Sequence, residues 1–164
     1  MPGIWAGGVS SRHPHVIFIS NRNGVQSPWI VPIDGGSPML LINRTASGHV
    51  AVSADGRSFA FLALDKNPRE IVVCDLPACK TPRNVEAPRS TPVRWMPDDR
   101  GVAYIDATQS NLWVQPFDGK PPYQLTHFTD RIIEHFAWSH DGKRLAIART
   151  TTTNDIVLFK GLRR

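Results

Sequence analysis

Three stretches of the chain repeat one pattern at a fixed spacing, and this period limits the available folds more than any other feature. Ser53-Ala54-Asp55-Gly56-Arg57-Ser58-Phe59-Ala60-Phe61 shares its order of residue types with Ser139-His140-Asp141-Gly142-Lys143-Arg144-Leu145-Ala146-Ile147. Met96-Pro97-Asp98-Asp99-Arg100-Gly101-Val102-Ala103-Tyr104 lies midway between them, so the starts at 53, 96 and 139 are 43 residues apart. One further step back falls on Ser10 and aligns Phe18 with Phe61, Tyr104 and Ile147. A period of about 40–50 residues with turn chemistry at a fixed phase marks a stack of equivalent β units, most often propeller blades.

Each unit reads as up to four strands, A to D. In the second unit, strand A at residues 49–52 turns through Ser53–Arg57 into strand B at 58–64, strand C is 70–75, and a weaker strand D lies near 83–85. The A–B turn has a mechanism. Asp55 accepts local backbone hydrogen bonds, and Gly56 supplies the positive φ that closes a short hairpin. In the third unit Asp99 stands at the glycine position, and aspartate tolerates the left-handed region better than most residues, so the hairpin is expected to survive. The first unit has Ser11-Arg12-His13-Pro14 in place of this turn, and Trp29 and Trp113 each precede an Asp-Gly turn by five residues. The expected units are 5–45, 46–88, 89–128 and 129–164.

Alternation assigns a buried face. Val50/Val52, Phe59/Phe61, Val93/Trp95, Val102/Tyr104, Phe136/Trp138 and Leu145/Ile147 are i, i+2 pairs that share one side of a strand. Aromatics recurring once per unit point to packing between blades rather than to a ligand cage. Fourteen prolines and twelve glycines suit many short strands joined by tight turns, and no window keeps a helical period. The expected fold is therefore all-β: a partial β-propeller of about four four-stranded antiparallel blades, the last lacking its outer strand.

In the fourth unit, strand C is expected at residues 155–159. As an apolar edge without a neighbour it invites self-association, which Val157→Lys should weaken without unfolding the chain. Residues 1–8, with only Ile4-Trp5 apolar before Gly7-Gly8, make a poor donor for that edge. The arrangement is expected either to belong to a larger propeller or to complete itself with a second copy.

The formal net charge is +5, yet the basic residues are scattered through turns, and the only short cluster is Arg163-Arg164 after Lys160. A solvated basic surface is expected, not a nucleic-acid site. Neither a membrane span nor a secretory leader is expected, because the N-terminal residues lack a basic stretch followed by an apolar run. Cys74 and Cys79 flank Leu76-Pro77-Ala78. The spacing permits a local disulfide, but we read the two as ordinary strand and turn residues.

The turns Ser53-Ala54-Asp55-Gly56 and Ser139-His140-Asp141-Gly142, with Ser20-Asn21-Arg22-Asn23-Gly24, Asp34-Gly35-Gly36 and Leu125-Thr126, resemble the TolB-type, WD-like β-propeller repeat of bacteria. Residues 123–162 are similar, more narrowly, to the ends of propellers attached to bacterial serine/threonine kinases of the eukaryotic type, or behind winged-helix regulators. The resemblance implies a sensory or protein-binding module in the C-terminal part of a larger signalling protein, and no kinase motif is present to carry over.

The search for chemistry nominates no catalytic, cofactor-binding or metal-binding residue. Gly-x-Ser-x-Gly, Gly-x-x-x-x-Gly-Lys-Ser/Thr, His-Glu-x-x-His and Gly-x-Gly-x-x-Gly are all absent. His13 and His15 lack a third ligand, His127, His135 and His140 read as polar surface, and neither Glu134-His135 nor Asp98-Asp99 makes an acid–base dyad. No cofactor is expected. The expected function is non-catalytic binding of a protein or peptide; the alternative is a propeller that supports or gates a serine hydrolase of the prolyl oligopeptidase type.

Overall fold

The computed structural model describes the backbone of residues 4–9, together with residues 14–87 and 92–151. Every regular element among them is a strand. The first sheet holds β1 (Ile4–Val9), β2 (His15–Ser20), β3 (Ser27–Pro32) and β4 (Met39–Leu40). The second holds β5 (Ala46–Val52), β6 (Ser58–Ala63), β7 (Arg69–Asp75) and β8 (Arg83–Ala87). The third holds β9 (Arg94–Trp95), β10 (Gly101–Ile105), β11 (Leu112–Pro116) and β12 (Tyr123–Gln124), and the fourth pairs β13 (Ile132–Trp138) with β14 (Leu145–Thr150). In each four-stranded sheet the strands neighbour one another in chain order, as an antiparallel meander does. The expected strand at 155–159, and with it the edge-pairing argument, lies outside the described residues, as do His13 and the 160–164 cluster.

Registers confirm the repeat. Phe18 pairs with Trp29, Phe61 with Val72 and Tyr104 with Trp113, so the tryptophans at 29 and 113 occupy equivalent places on strand C. Ile4–Val9 runs antiparallel to β2 as the first strand of its own sheet. The pairing shifts register between Trp5 and Gly8, a bulge at the glycines that hid the strand from an alternation test.

Three apolar cores hold the stack together, one between each pair of successive sheets. The first joins Ile17, Ile19 and Ile30 to Phe59, Phe61 and Val72; the second joins Ala60, Leu62 and Val73 to Trp95, Val102 and Tyr104. The third joins Ala103, Ile105 and Val114 to Phe136, Leu145 and Ile147. Three of the six expected pairs, Phe59/Phe61, Val93/Trp95 and Val102/Tyr104, lie wholly in these cores; Phe136 joins them without Trp138, and Val50, Val52, Leu145 and Ile147 are partly buried at the margins.

The cysteines correct the sequence reading. Cys74, buried in the first core, is bonded to Cys79, whose side chain packs on that core, with Cα atoms 4.9 Å apart. Five residues of separation do not settle a disulfide; here the turn returns Cys79 to the β7 end, which pattern alone does not reveal.

An ion-pair cluster ties the first sheet's exit to the second sheet's B–C turn. Arg44 donates Nε and Nη2 to Asp65 at 2.6 and 2.7 Å and reaches Glu70 at 3.0 Å, which also accepts from Lys66 at 3.1 Å. The hydrogen bond from Arg44 holds Asp65 below the usual carboxylate range, and the bonds from Lys66 and Arg44 do the same for Glu70. With both folded-state values depressed, this stabilisation is complete above the unfolded carboxylate pKa values and is lost as pH falls below about 4. Arg44→Ala should therefore cost about 1 kcal/mol near neutrality and progressively less as the pH falls below about 4. Thermal melts of both proteins between pH 7 and 3 measure the difference, and an equal gap at both ends would contradict this reading.

Candidate binding surface at the A–B turn end

In a meander, alternate turns lie at opposite ends of the sheet, so the A–B and C–D turns share one end of each blade. The A–B turns there are built alike. Ser53 N donates to Ser58 O and Gly56 N to Ser53 O; Met96 N to Gly101 O and Asp99 N to Met96 O; Ser139 N to Arg144 O and Gly142 N to Ser139 O. The aspartate at the third position closes each turn. Asp55 accepts from Arg57 N at 2.9 Å, Asp98 from Arg100 N at 3.0 Å and Asp141 from Lys143 N at 3.1 Å. Ser53 and Ser139 add hydroxyl bonds to Asp55 and Asp141, and Met96 forgoes that bond in the third unit. Gly101, two places after Asp99, opens β10 where a Cβ would lie 2.6 Å from Gln115 O, so only glycine fits that approach.

Successive turns are also pinned to each other. Asp99 adopts φ +56° at the glycine position, and its carboxylate reaches back to the second unit, accepting from Ala54 N at 2.8 Å and Asp55 N at 2.9 Å. The sequence reading foresaw that aspartate would survive here; it missed that the side chain clamps the neighbouring turn. Asp99→Gly relieves the backbone, worth about 1 kcal/mol, but removes two bonds to an anionic acceptor, about 1.5 kcal/mol or more each. A net loss of about 2 kcal/mol in urea unfolding is expected; stabilisation would show that the bonds carry no weight. Nearer the channel, Trp95 Nε1 donates to Ala51 O at 3.0 Å. The matching Trp138 Nε1 is covered and has no partner among the described residues.

Two cavities open here. One, of about 570 Å³, lies between inner strands β5, β9 and β13 and is the channel side of the stack; His49, Arg94, Trp138 and His140 line it. The other, of about 810 Å³, lies where Arg83 of β8 faces the A–B and C–D turns of the third unit. Phe117 lines it, edge-on to Trp95 behind with ring centroids 5.5 Å apart, and Arg83 lies over Phe117 at 5.6 Å. Tyr123, on its outer rim, is 47% exposed. Lys120 pairs with Asp118 at 2.8 Å, whereas Arg83 and Arg100, also lining the cavity, form no ion pair among the described residues.

The histidines singled out by sequence do not converge. His15 is half-buried in β2 with Nδ1 unpartnered among the described residues, and His127, His135 and His140 are each exposed on separate segments. Among the described residues no three histidine, cysteine, aspartate or glutamate side chains surround a common point. The β13–β14 pairing shifts register between Ile133 and His135, and the side chains of Glu134 and His135 are both exposed. No helix of the described residues is long and apolar enough to cross a membrane.

No family model and no curated protein matches the chain. Among solved structures it superposes on TolB from Acinetobacter baumannii with a TM-score of 0.75 and 18% identity, over 88% of this chain and 37% of that one. It superposes on the β-propeller domain of the Trilobed protease from Pyrococcus furiosus with a TM-score of 0.57 and 15% identity, over 80% and 45%. For a chain of a nidogen/laminin complex the values are 0.66 and 14%, over 89% and 56%. The chain thus spans less than two thirds of each of these proteins. Together with the four sheets, these matches make the fold a partial β-propeller, similar to that of TolB.

Proposed function

We propose that the chain is a non-catalytic propeller module that binds an extended peptide or protein segment at the A–B turn end, as part of a larger signalling protein. The observation that carries this is the cavity between the second and third sheets. An aromatic lining with two guanidinium groups lacking carboxylate partners suits a peptide that presents an apolar side chain beside a carbonyl or carboxylate. One structural neighbour comes from a nidogen/laminin complex, a protein–protein assembly, which agrees with such a role. Panning a random-peptide library on the immobilised chain tests it. Enriched peptides should lose binding to Arg83→Glu/Arg100→Glu and keep it with His49→Ala, which alters the channel cavity alone. Failure to enrich, or binding indifferent to the arginines, would remove this reading.

The alternative, a propeller supporting a serine hydrolase, is favoured by one neighbour being a protease's propeller domain. It requires a Gly-x-Ser-x-Gly elbow encoded in frame with this chain, where the signalling reading requires a kinase or DNA-binding domain. The bonded cysteines support work in an oxidising compartment. Protein purified without reductant should resist thiol alkylation until it is both reduced and unfolded; immediate labelling of both thiols would contradict the bond.

A further inference from the structure

The inner strands depart from their own repeat on the wall of the channel cavity. The 43-residue step matches Ala51, Arg94 and Ala137, and likewise Ala54, Pro97 and His140. All of these line the cavity between β5, β9 and β13. At the first position the blade is complete with a methyl group, as Ala51 and Ala137 show on either side of Arg94. At the second, the turn forms equally with Ala54 and Pro97. Blade packing therefore accounts for neither the guanidinium of Arg94 nor the imidazole of His140.

The free charge on this lining has one sign. Arg94 is half-buried, and its Nη1 donates to Val93 O at 3.1 Å. It pairs with no carboxylate among the described residues, which include every acidic residue of the chain except Asp155. Asp141, also on the lining, is engaged within its own turn, where it accepts from Ser139 Oγ at 2.5 Å and Lys143 N at 3.1 Å. His49 and His140 are exposed on the flanking units and offer imidazole N–H groups. Trp95, buried, and Trp138, half-buried, add indole surface. A guanidinium meets a carboxylate through two parallel N–H···O bonds, and an indole offers a flat apolar surface beside them. The volume of about 570 Å³ lies in the range of about 300–1,000 Å³ typical of small-molecule pockets.

We propose that the channel cavity binds a small carboxylic acid with a flat apolar body, at a site separate from the peptide surface between the second and third sheets. Arg94 takes the carboxylate in its fork, and His49 and His140 donate to it from the units on either side. The apolar body lies against the indole of Trp138. The repeat itself marks the site: the two side chains that blade packing does not use, Arg94 and His140, both stand on the cavity wall.

Saturation-transfer NMR on this chain tests the proposal, with benzoate and naphthoate as probes and the matching alcohols as uncharged controls. Both acids should bind, and the alcohols should bind about tenfold more weakly or not at all. Arg94→Ala installs the residue that the flanking units carry. The variant should keep its β circular-dichroism signal and its thermal melt, while its affinity for the acids falls about tenfold or more. Arg94→Lys keeps the charge without the fork and should fall between the two. Acids that do not bind at millimolar concentration, that bind no better than the alcohols, or that bind Arg94→Ala equally well overturn the proposal. Competition between the acids and the panned peptides overturns it too, because the cavity would then be part of the peptide surface. Those peptides should bind Arg94→Ala as they bind the unaltered chain, so either reading can fail while the other stands.

Discussion

Gly142→Ala is expected to lower stability by about 2–5 kcal/mol, the sum of a backbone term and a packing term. Gly142 holds φ +68° at the A–B turn of the fourth unit, a conformation that costs a residue with a Cβ about 1–2 kcal/mol. A Cβ there would also meet Pro97 Cβ at 2.6 Å and Cγ at 3.3 Å. The proline ring cannot rotate away as a flexible side chain would, so the fourth turn must back off the third, at about 1–3 kcal/mol. In a domain of this length the melting temperature should fall by about 5–15 °C. Gly119→Ala is the control. Its φ is +87° with open space around it, so only the backbone term should appear. Pro97→Gly in the Gly142→Ala background should recover the packing term, and additive effects of the two changes would show that the turns do not touch.

Asn111→Leu should cost about as much, about 2–4 kcal/mol, although leucine matches the size of the side chain it replaces. Asn111 is 8% exposed at the start of β11 and works as a clamp on the segment after β12. Its Nδ2 donates to Phe128 O at 3.1 Å, and its Oδ1 accepts from Phe128 N at 2.7 Å and from Thr126 Oγ1 at 3.0 Å. Thr126 Oγ1 in turn accepts from Leu112 N at 2.9 Å, so four groups share one polar knot. Leucine leaves both backbone groups of Phe128 without these partners, each worth about 1–3 kcal/mol when covered. Asn111→Asp keeps the acceptor and loses the donor, so its loss should be intermediate. Chemical denaturation measures the series, and a neutral Asn111→Leu would mean that water replaces the clamp.

What the sequence disclosed followed from the side chains' own positions. The 43-residue step located the turns, and alternation in β6 and β10 assigned Phe59, Phe61, Val102 and Tyr104 to buried faces correctly. What it did not disclose depends on where one unit sits against the next. Asp99 looked like a tolerated substitution, and only the approach of two turns reveals its bonds to Ala54 N and Asp55 N. The spacing of Cys74 and Cys79 permitted a bond without settling it, and Gly7-Gly8 masked β1 because a bulge breaks the period of two. The cavity at Arg83, Arg100 and Phe117 was invisible for the same reason, since its walls come from two units. The repeat in the sequence recovers a blade, whereas this cavity belongs to the junction between blades.

The proposed working surface is the A–B turn end at the junction of the second and third sheets. Hydrogen exchange of the chain with and without a panned peptide measures this most directly. The expected footprint is slowed exchange at residues 96–100 and 116–121, with the B–C turns at 64–68 and 106–110 unchanged. Protection confined to those B–C turns would place the peptide at the opposite end of the blades and contradict the account.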